Sequence, residues 1–183
     1  MKEITSVHNS VVQLLRALQK PKARKENGVF VAESAKMVRE AVELGLCRML
    51  AVESGREEEY AALIEKAEQA GCETLLFSPT VMQAASTAKT PQGILCTVAI
   101  PEPPKTLSGR RIVALDGVQD PGNVGTILRP ADAAGFDGAI LGAGCADLYG
   151  AKTLRATMGS VFRVPVMMTD DLPGTLEEMK KRG

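Results

Sequence analysis

The sequence predicts an α/β fold in two parts, and three observations carry that reading. The chain has 183 residues, 45% of them hydrophobic and 24% charged, which suits one large or two small globular domains with buried cores. Its second half alternates short apolar runs with segments of helical period, the pattern of a parallel sheet covered by helices. Between the halves lies PEPPK, Pro101 to Lys105, better suited to an extended spacer than to helix or strand. The expected organisation is a domain over 1–100, a linker over 101–109 and a second domain over 110–183.

Val11, Leu14, Leu15 and Leu18 follow the i, i+3, i+4, i+7 rule, predicting an amphipathic helix from Ser10 to about Lys20 that ends before Pro21. A basic turn, KPKARK, follows and leads into VFVA (Val29 to Ala32), short and apolar enough for a buried strand. Ser34 caps a helix running to about Leu44, which Gly45 ends. A strand near Arg48 to Val52, an acidic helix Glu57 to Ala70, a strand Glu73 to Phe77, a short helix opened by Ser78-Pro79 and a strand Gly93 to Ile100 complete the first half. The second half reads as strand Arg111 to Leu115, helix Val124 to Ala134, strand Gly138 to Leu141, helix Lys152 to Ser160, strand Arg163 to Met167 and helix Thr175 to Arg182.

No apolar run approaches the roughly 18 to 20 residues that span a bilayer, and Met1 to Lys20 lacks a signal peptide's apolar stretch. A cytoplasmic protein without membrane contact is expected. Cys47, Cys72, Cys96 and Cys145 are far apart in sequence, with only His8 to join them, so neither a metal site nor a disulfide framework is indicated. They read as reduced, mostly buried thiols. A formal net charge of +0 argues against a protein that coats polyanions globally but leaves room for a local basic surface. With 3% aromatic residues and no Trp, a broad base-stacking platform of the kind that binds single strands is not expected.

Chemistry concentrates in LDGVQDPGNVGTILRPADAAGF, Leu115 to Phe136. The stretch leaves the C-terminal end of a predicted strand and enters a helix, where open α/β sheets place ligands. Asp116, Gln119, Asp120 and Asn123 gather there, and Gly122 and Gly125 permit close backbone approach. The free N–H groups at the helix start suit a phosphate or ribose oxygen. Physical reading alone leaves a nucleotide loop and an ordinary strand-to-helix turn both open, with Asn123 then serving as a helix N-cap. In the basic turn, Lys20, Lys22, Arg24 and Lys25 suit RNA phosphates, the alternative being a merely solvated face.

DGVQDPGNVGTILR resembles motif 1 of the SpoU-type (TrmH-like) RNA ribose 2'-O-methyltransferases of the SPOUT superfamily, and YGAKTLRATMGSVFRVPV, Tyr149 to Val166, resembles their second motif. HNSVVQLLRAL, KARKENGVFVAES and TPQGILCTVA resemble the family's N-terminal substrate-binding domain, so the likeness covers almost the whole chain. It implies a ribosomal-protein-like α/β domain followed by a parallel-sheet catalytic domain of trefoil-knot type that dimerises. It also implies S-adenosylmethionine as cofactor and a ribose 2'-hydroxyl of tRNA or ribosomal RNA as acceptor, with no metal. Asn123 and Arg129 match the motif residues at the reaction centre, Asn123 as donor and acceptor for positioning and Arg129 as phosphate clamp or general base. Arg155, Thr157, Gly159 and Ser160 fall in the small-residue second motif; Arg155 is taken with the RNA-binding set, while Thr157 and Ser160 suit helix packing.

Two features depart from the family. Pro130 follows the arginine directly, where a small helix-compatible residue is usual, and predicts that the helix kinks or ends there. The family's third, cofactor-cradling motif does not occur by Gly183, so no cofactor-binding residue is assigned and no cofactor pocket is expected. Two readings follow: a truncated methyltransferase, or an RNA-binding protein without catalysis. A small-molecule nucleotide enzyme is a third, and it leaves the basic segment unexplained.

Overall fold

The computed structural model describes residues 1–182, which pack as two units, Met1–Ile100 and the chain from Pro101 onward. In the first unit the order is β1 (Lys2–Ile4), α1 (Ser10–Ala17), α2 (Pro21–Asn27), β2 (Val29–Glu33), α3 (Ala35–Glu43), β3 (Cys47–Glu53), α4 (Ala61–Gln69), β4 (Glu73–Phe77), α5 (Pro79–Ala85) and β5 (Ile94–Ala99). The strands form a mixed sheet in the order β1-β4-β3-β5-β2, with β1, β4 and β3 parallel and β5 antiparallel to both of its neighbours. Val12 and Leu15 of α1 and Val81 and Met82 of α5 bury against Leu75, Phe77 and Leu95 of the sheet.

The main departure from expectation is at Pro21. The predicted basic turn is a helix, because a proline at the first helical position loses only an N–H that has no helical partner there. Gly28, at φ 64°, ends this helix and turns the chain into β2. α4 starts at Ala61, later than predicted, because residues 57–60 form turns. β1 was not predicted; three residues with one buried side chain, Ile4, carry no readable alternation.

The second unit contains β6 (Ile112–Leu115), α6 (Pro121–Ala133), β7 (Gly138–Leu141), α7 (Ala151–Thr157), a 3-10 turn at Ser160–Phe162, β8 (Val166–Met168) and α8 (Leu172–Arg182). Its three strands are parallel in the order β6-β7-β8. Leu115, Val124, Leu128, Leu141, Leu148 and Val164 form the core beneath α6. β8 begins three residues after the predicted start because the 3-10 turn consumes the intervening chain. Residues 101–109 form neither helix nor strand, and Pro101–Pro104 border a cavity of about 330 Å³ with Leu148, Tyr149 and Val161 of the same unit.

The tightest helix contact in this unit is between α6 and α7. A Cβ added at Gly125 would fall 2.5 Å from Ala156 Cβ and 2.8 Å from the Thr153 carbonyl oxygen, so only glycine lets the helices approach this closely. Gly125→Ala therefore forces backbone apart, and urea unfolding of this variant is expected to show a loss of about 1–3 kcal/mol.

Candidate active site

α6 starts on Asp120, whose Oδ1 accepts the Asn123 N–H at 2.9 Å, with Pro121 as first helical residue. The helix thus begins three residues before the predicted Val124, and Asn123 lies within its first turn rather than at the N-cap. The other Asp120 oxygen, Oδ2, receives Lys152 Nζ from α7 at 3.1 Å. The Lys152 ammonium first, and the Asn123 N–H second, hold the Asp120 carboxyl below its ordinary range.

Pro130 does not end the helix, which continues to Ala133, and the Pro130 carbonyl accepts the Ala134 N–H at 2.9 Å. The bond that residue 130 would donate to the Thr126 carbonyl is lost, but both residues are exposed, so water can serve that carbonyl. Arg129 keeps helical backbone. Gly125, Arg129 and Asp132 form one i, i+4, i+7 row. Gly125 touches α7, and Asp132 Oδ2 accepts Ser160 Oγ at 2.9 Å and Arg163 Nη2 at 2.6 Å, both from the segment after α7. Arg129 sits between these two contacts on the α7 side of α6. Its side chain is exposed, with no hydrogen bond or ion pair among the described residues.

Asn123 and Arg129 are not on one face. Six residues place them about 120° apart around the helix and about 9 Å apart along it, so they flank the buried stripe of Val124, Leu128 and Ala131 from opposite sides. The second motif is mostly turned inward. Thr157 is buried and donates to the Leu154 carbonyl at 2.7 Å, Thr153 donates to the Asp147 carbonyl at 2.7 Å, and Ser160 is buried on Asp132. Met158 at φ 51° and Gly159 at φ 96° close α7 and swing Ser160 back towards α6. Arg155 is exposed.

A cleft of about 420 Å³, unexpected from the sequence, opens where β7 and β8 end. It is lined by the continuous stretch Leu141 to Leu148 and by Met168 to Asp170. The signal for it was a strand followed by Gly-Ala-Gly. In the other cavity, beside Pro101–Pro104, burial and then the neighbouring Asp147 charge push the Tyr149 phenol up to about 12, so Tyr149 lines it uncharged.

The basic residues of the first unit divide. Lys20, Lys22 and Lys25 are exposed, whereas Arg24 is 4% exposed and donates Nη1 to the Leu18 carbonyl at 2.6 Å. Arg24 therefore ties α2 to the end of α1 and is withdrawn from any phosphate surface. Among the described residues no group of three or more His, Cys, Asp or Glu is arranged to hold a metal ion.

Residues 110–183 match the SpoU rRNA methylase family, and residues 9–96 match the MRM3-like substrate binding domain. The chain is 34% identical over 184 residues to the 23S rRNA (guanosine(2553)-2'-O)-methyltransferase RlmP of Bacillus subtilis, covering 100% of this chain and 71% of that protein. This chain belongs to the SpoU family of RNA methyltransferases. A crystal structure of an AdoMet-bound rRNA methyltransferase from Sinorhizobium meliloti superposes with a TM-score of 0.82 at 35% identity, over 98% of this chain and 68% of that one. A TrmH-family RNA methyltransferase from Porphyromonas gingivalis, described as putative, gives 0.81 at 29% identity, over 97% and 69%. The SpoU assignment matches the motif resemblance, and the α/β units match the fold of these structures.

Because the folded pKa of Asp120 is depressed, the stability it adds is complete above the ordinary carboxylate value of about 3.9 and is lost as pH falls through the folded value. An NMR titration of Asp120 should show its pKa rise towards the ordinary value in Lys152→Ala.

Proposed function

We propose that this SpoU protein transfers a methyl group from S-adenosylmethionine to a ribose 2'-hydroxyl in ribosomal RNA or tRNA. The observation that carries the reading is Arg129: exposed, without an ion-pair partner among the described residues, and set between the Gly125 and Asp132 contacts. A cation left unpaired beside a rigid seam is suited to an incoming phosphate.

The cleft at the ends of β7 and β8 fits the cofactor in size, since small-molecule sites run to about 300–1,000 Å³. A Cβ at Gly142 would sit 3.1 Å from Leu172 Cδ2 and 3.2 Å from the Leu115 carbonyl, so glycine lets this wall of the cleft pack closely on β6 and α8. Leu141 to Gly144 and Met168 to Asp170 would hold the group. Bound there, it supplies a methyl electrophile on a sulfonium.

The protein's own residues must orient a weak nucleophile and balance the charge that grows as its proton leaves. Arg129 would grip the phosphate next to the target ribose bidentately. As a planar, delocalised cation, its guanidinium would act as clamp and counter-charge rather than as base. Asn123, exposed on the first turn of α6, would offer both a donor and an acceptor to the nucleotide. Lys20, Lys22 and Lys25 would meet phosphates from the first domain, read as the substrate-binding part, and Arg155 from α7. A homodimer through the second unit would cover Met158 and Leu176, which are 45% and 42% exposed.

Arg129→Ala should lower methyl incorporation into RNA by about 10²–10³-fold while RNA affinity stays within a few-fold; unchanged turnover would overturn the assignment. Replacing Lys20, Lys22 and Lys25 by Ala should weaken RNA binding evenly across sequences. For every lysine that pairs with a phosphate, its removal should reduce the slope of log affinity against log salt by about 0.7–0.9 in filter-binding titrations.

A further inference from the structure

Three of the four cysteines, distant in sequence, meet in the first unit. Cys47 opens β3, Cys96 lies on β5, and Cys72 stands in the turn before β4. The parallel register pairing Met49 with Glu73 brings Cys72 alongside the start of β3. The antiparallel register pairing Leu50 with Cys96, with a shift between Cys47 and Met49, brings Cys96 to the other side. The Cys72 thiol donates to the Cys47 carbonyl at 3.0 Å, which sets it against the Cys47 backbone. All four cysteines are free thiols, Cys47 and Cys96 buried and Cys72 and Cys145 partly exposed. Nothing in the methyl-transfer reading uses the group.

We infer that Cys47 and Cys72 form a peroxide-driven disulfide site, with Cys72 as its partly exposed member and Cys96 as a buried bystander. Cys96 is fully buried on a strand paired on both sides, which leaves it no room to shift towards bonding geometry. Cys72 follows Gly71 outside the paired strand, where the backbone has more room to adjust than at Cys96. The hydrogen bond from Cys96, ahead of opposing burial, lowers the Cys47 thiol, so Cys47 is the readier thiolate. Burial first and then the Cys47 charge push Cys72 up to about 11, so Cys72 is not the first to react, and the Cys47 part of that shift is gone once Cys47 is a sulfenic acid.

The Cys47 thiolate attacks one oxygen of hydrogen peroxide, forming an S–O bond as the O–O bond breaks, and the departing hydroxide leaves as water with the Cys47 proton. The Cys72 thiolate then attacks the sulfenic sulfur and expels hydroxide, which leaves as water with the Cys72 proton. Two thiols are oxidised and one peroxide is reduced to two waters.

The test needs no methyltransferase activity, so its outcome is separate from that of the proposed function. Stoichiometric hydrogen peroxide should remove about 2 Da from the intact protein, reversibly with dithiothreitol. Non-reducing peptide mapping should join the peptides of Cys47 and Cys72. Cys96→Ser should keep this loss, while Cys72→Ser should abolish it and gain oxygen on Cys47 instead. A link through Cys96 or Cys145, a loss of about 2 Da persisting in Cys72→Ser, or four unreacted thiols would overturn the proposal.

Discussion

How closely α6 can lie on α7 controls the second unit. Helix axes approach according to the side chains between them, and at Gly125 there is none, so α6 meets the Thr153 carbonyl and Ala156 directly. One turn further along the same row comes Arg129, and then Asp132. Arg129 therefore inherits its direction from a seam fixed on both sides of it. A long, flexible cation makes a poor site unless its base is held, and here the base is held by backbone contact.

Carboxylates near the two ends of α6 fasten it to the second motif unequally. Asp120 meets Lys152 with both side chains about half exposed or more, where water and salt leave an ion pair little net worth. Asp132 is more shielded, at 20% side-chain exposure, and collects Ser160 Oγ together with Nε and Nη2 of Arg163. The stiffer joint is thus at the C-terminal end of the helix, beside Arg129. The looser joint is at the end carrying Asn123, where a nucleotide would need some accommodation.

Where hydrophobic period and local chemistry agreed, the sequence was legible. Glu73 to Phe77 and Gly138 to Leu141 are strands with the predicted bounds, and Ser34 caps its helix as expected. Proline was ambiguous: Pro21 and Pro121 each begin a helix, and Pro130 sits inside one, because the cost of a missing N–H depends on where in the helix it falls. Burial of individual polar residues was not legible either. Nothing in KPKARK singles out Arg24, and nothing in the spacing of Cys47, Cys72 and Cys96 shows that strand register joins them. The motif resemblance located Asn123 and Arg129 in sequence but not their separation around the helix, which follows only once the helix is known to continue past both.

On the proposed function, the burial of Arg24 shapes how the basic segment would meet RNA. As a charge run, KPKARK offers four interchangeable cations. As a helix it sorts them: Lys22 and Lys25 are three residues apart and share a face, while Arg24 lies about 200° from Lys22 and is buried. The residue best able to fork onto a phosphate is spent on the Leu18 carbonyl, and three lysines remain outside. Lysines act as point charges with little geometric preference, so this surface favours phosphate density rather than sequence. On the proposed function, choice of nucleotide would come from RNA shape and from contacts nearer Asn123 and Arg129 rather than from these lysines.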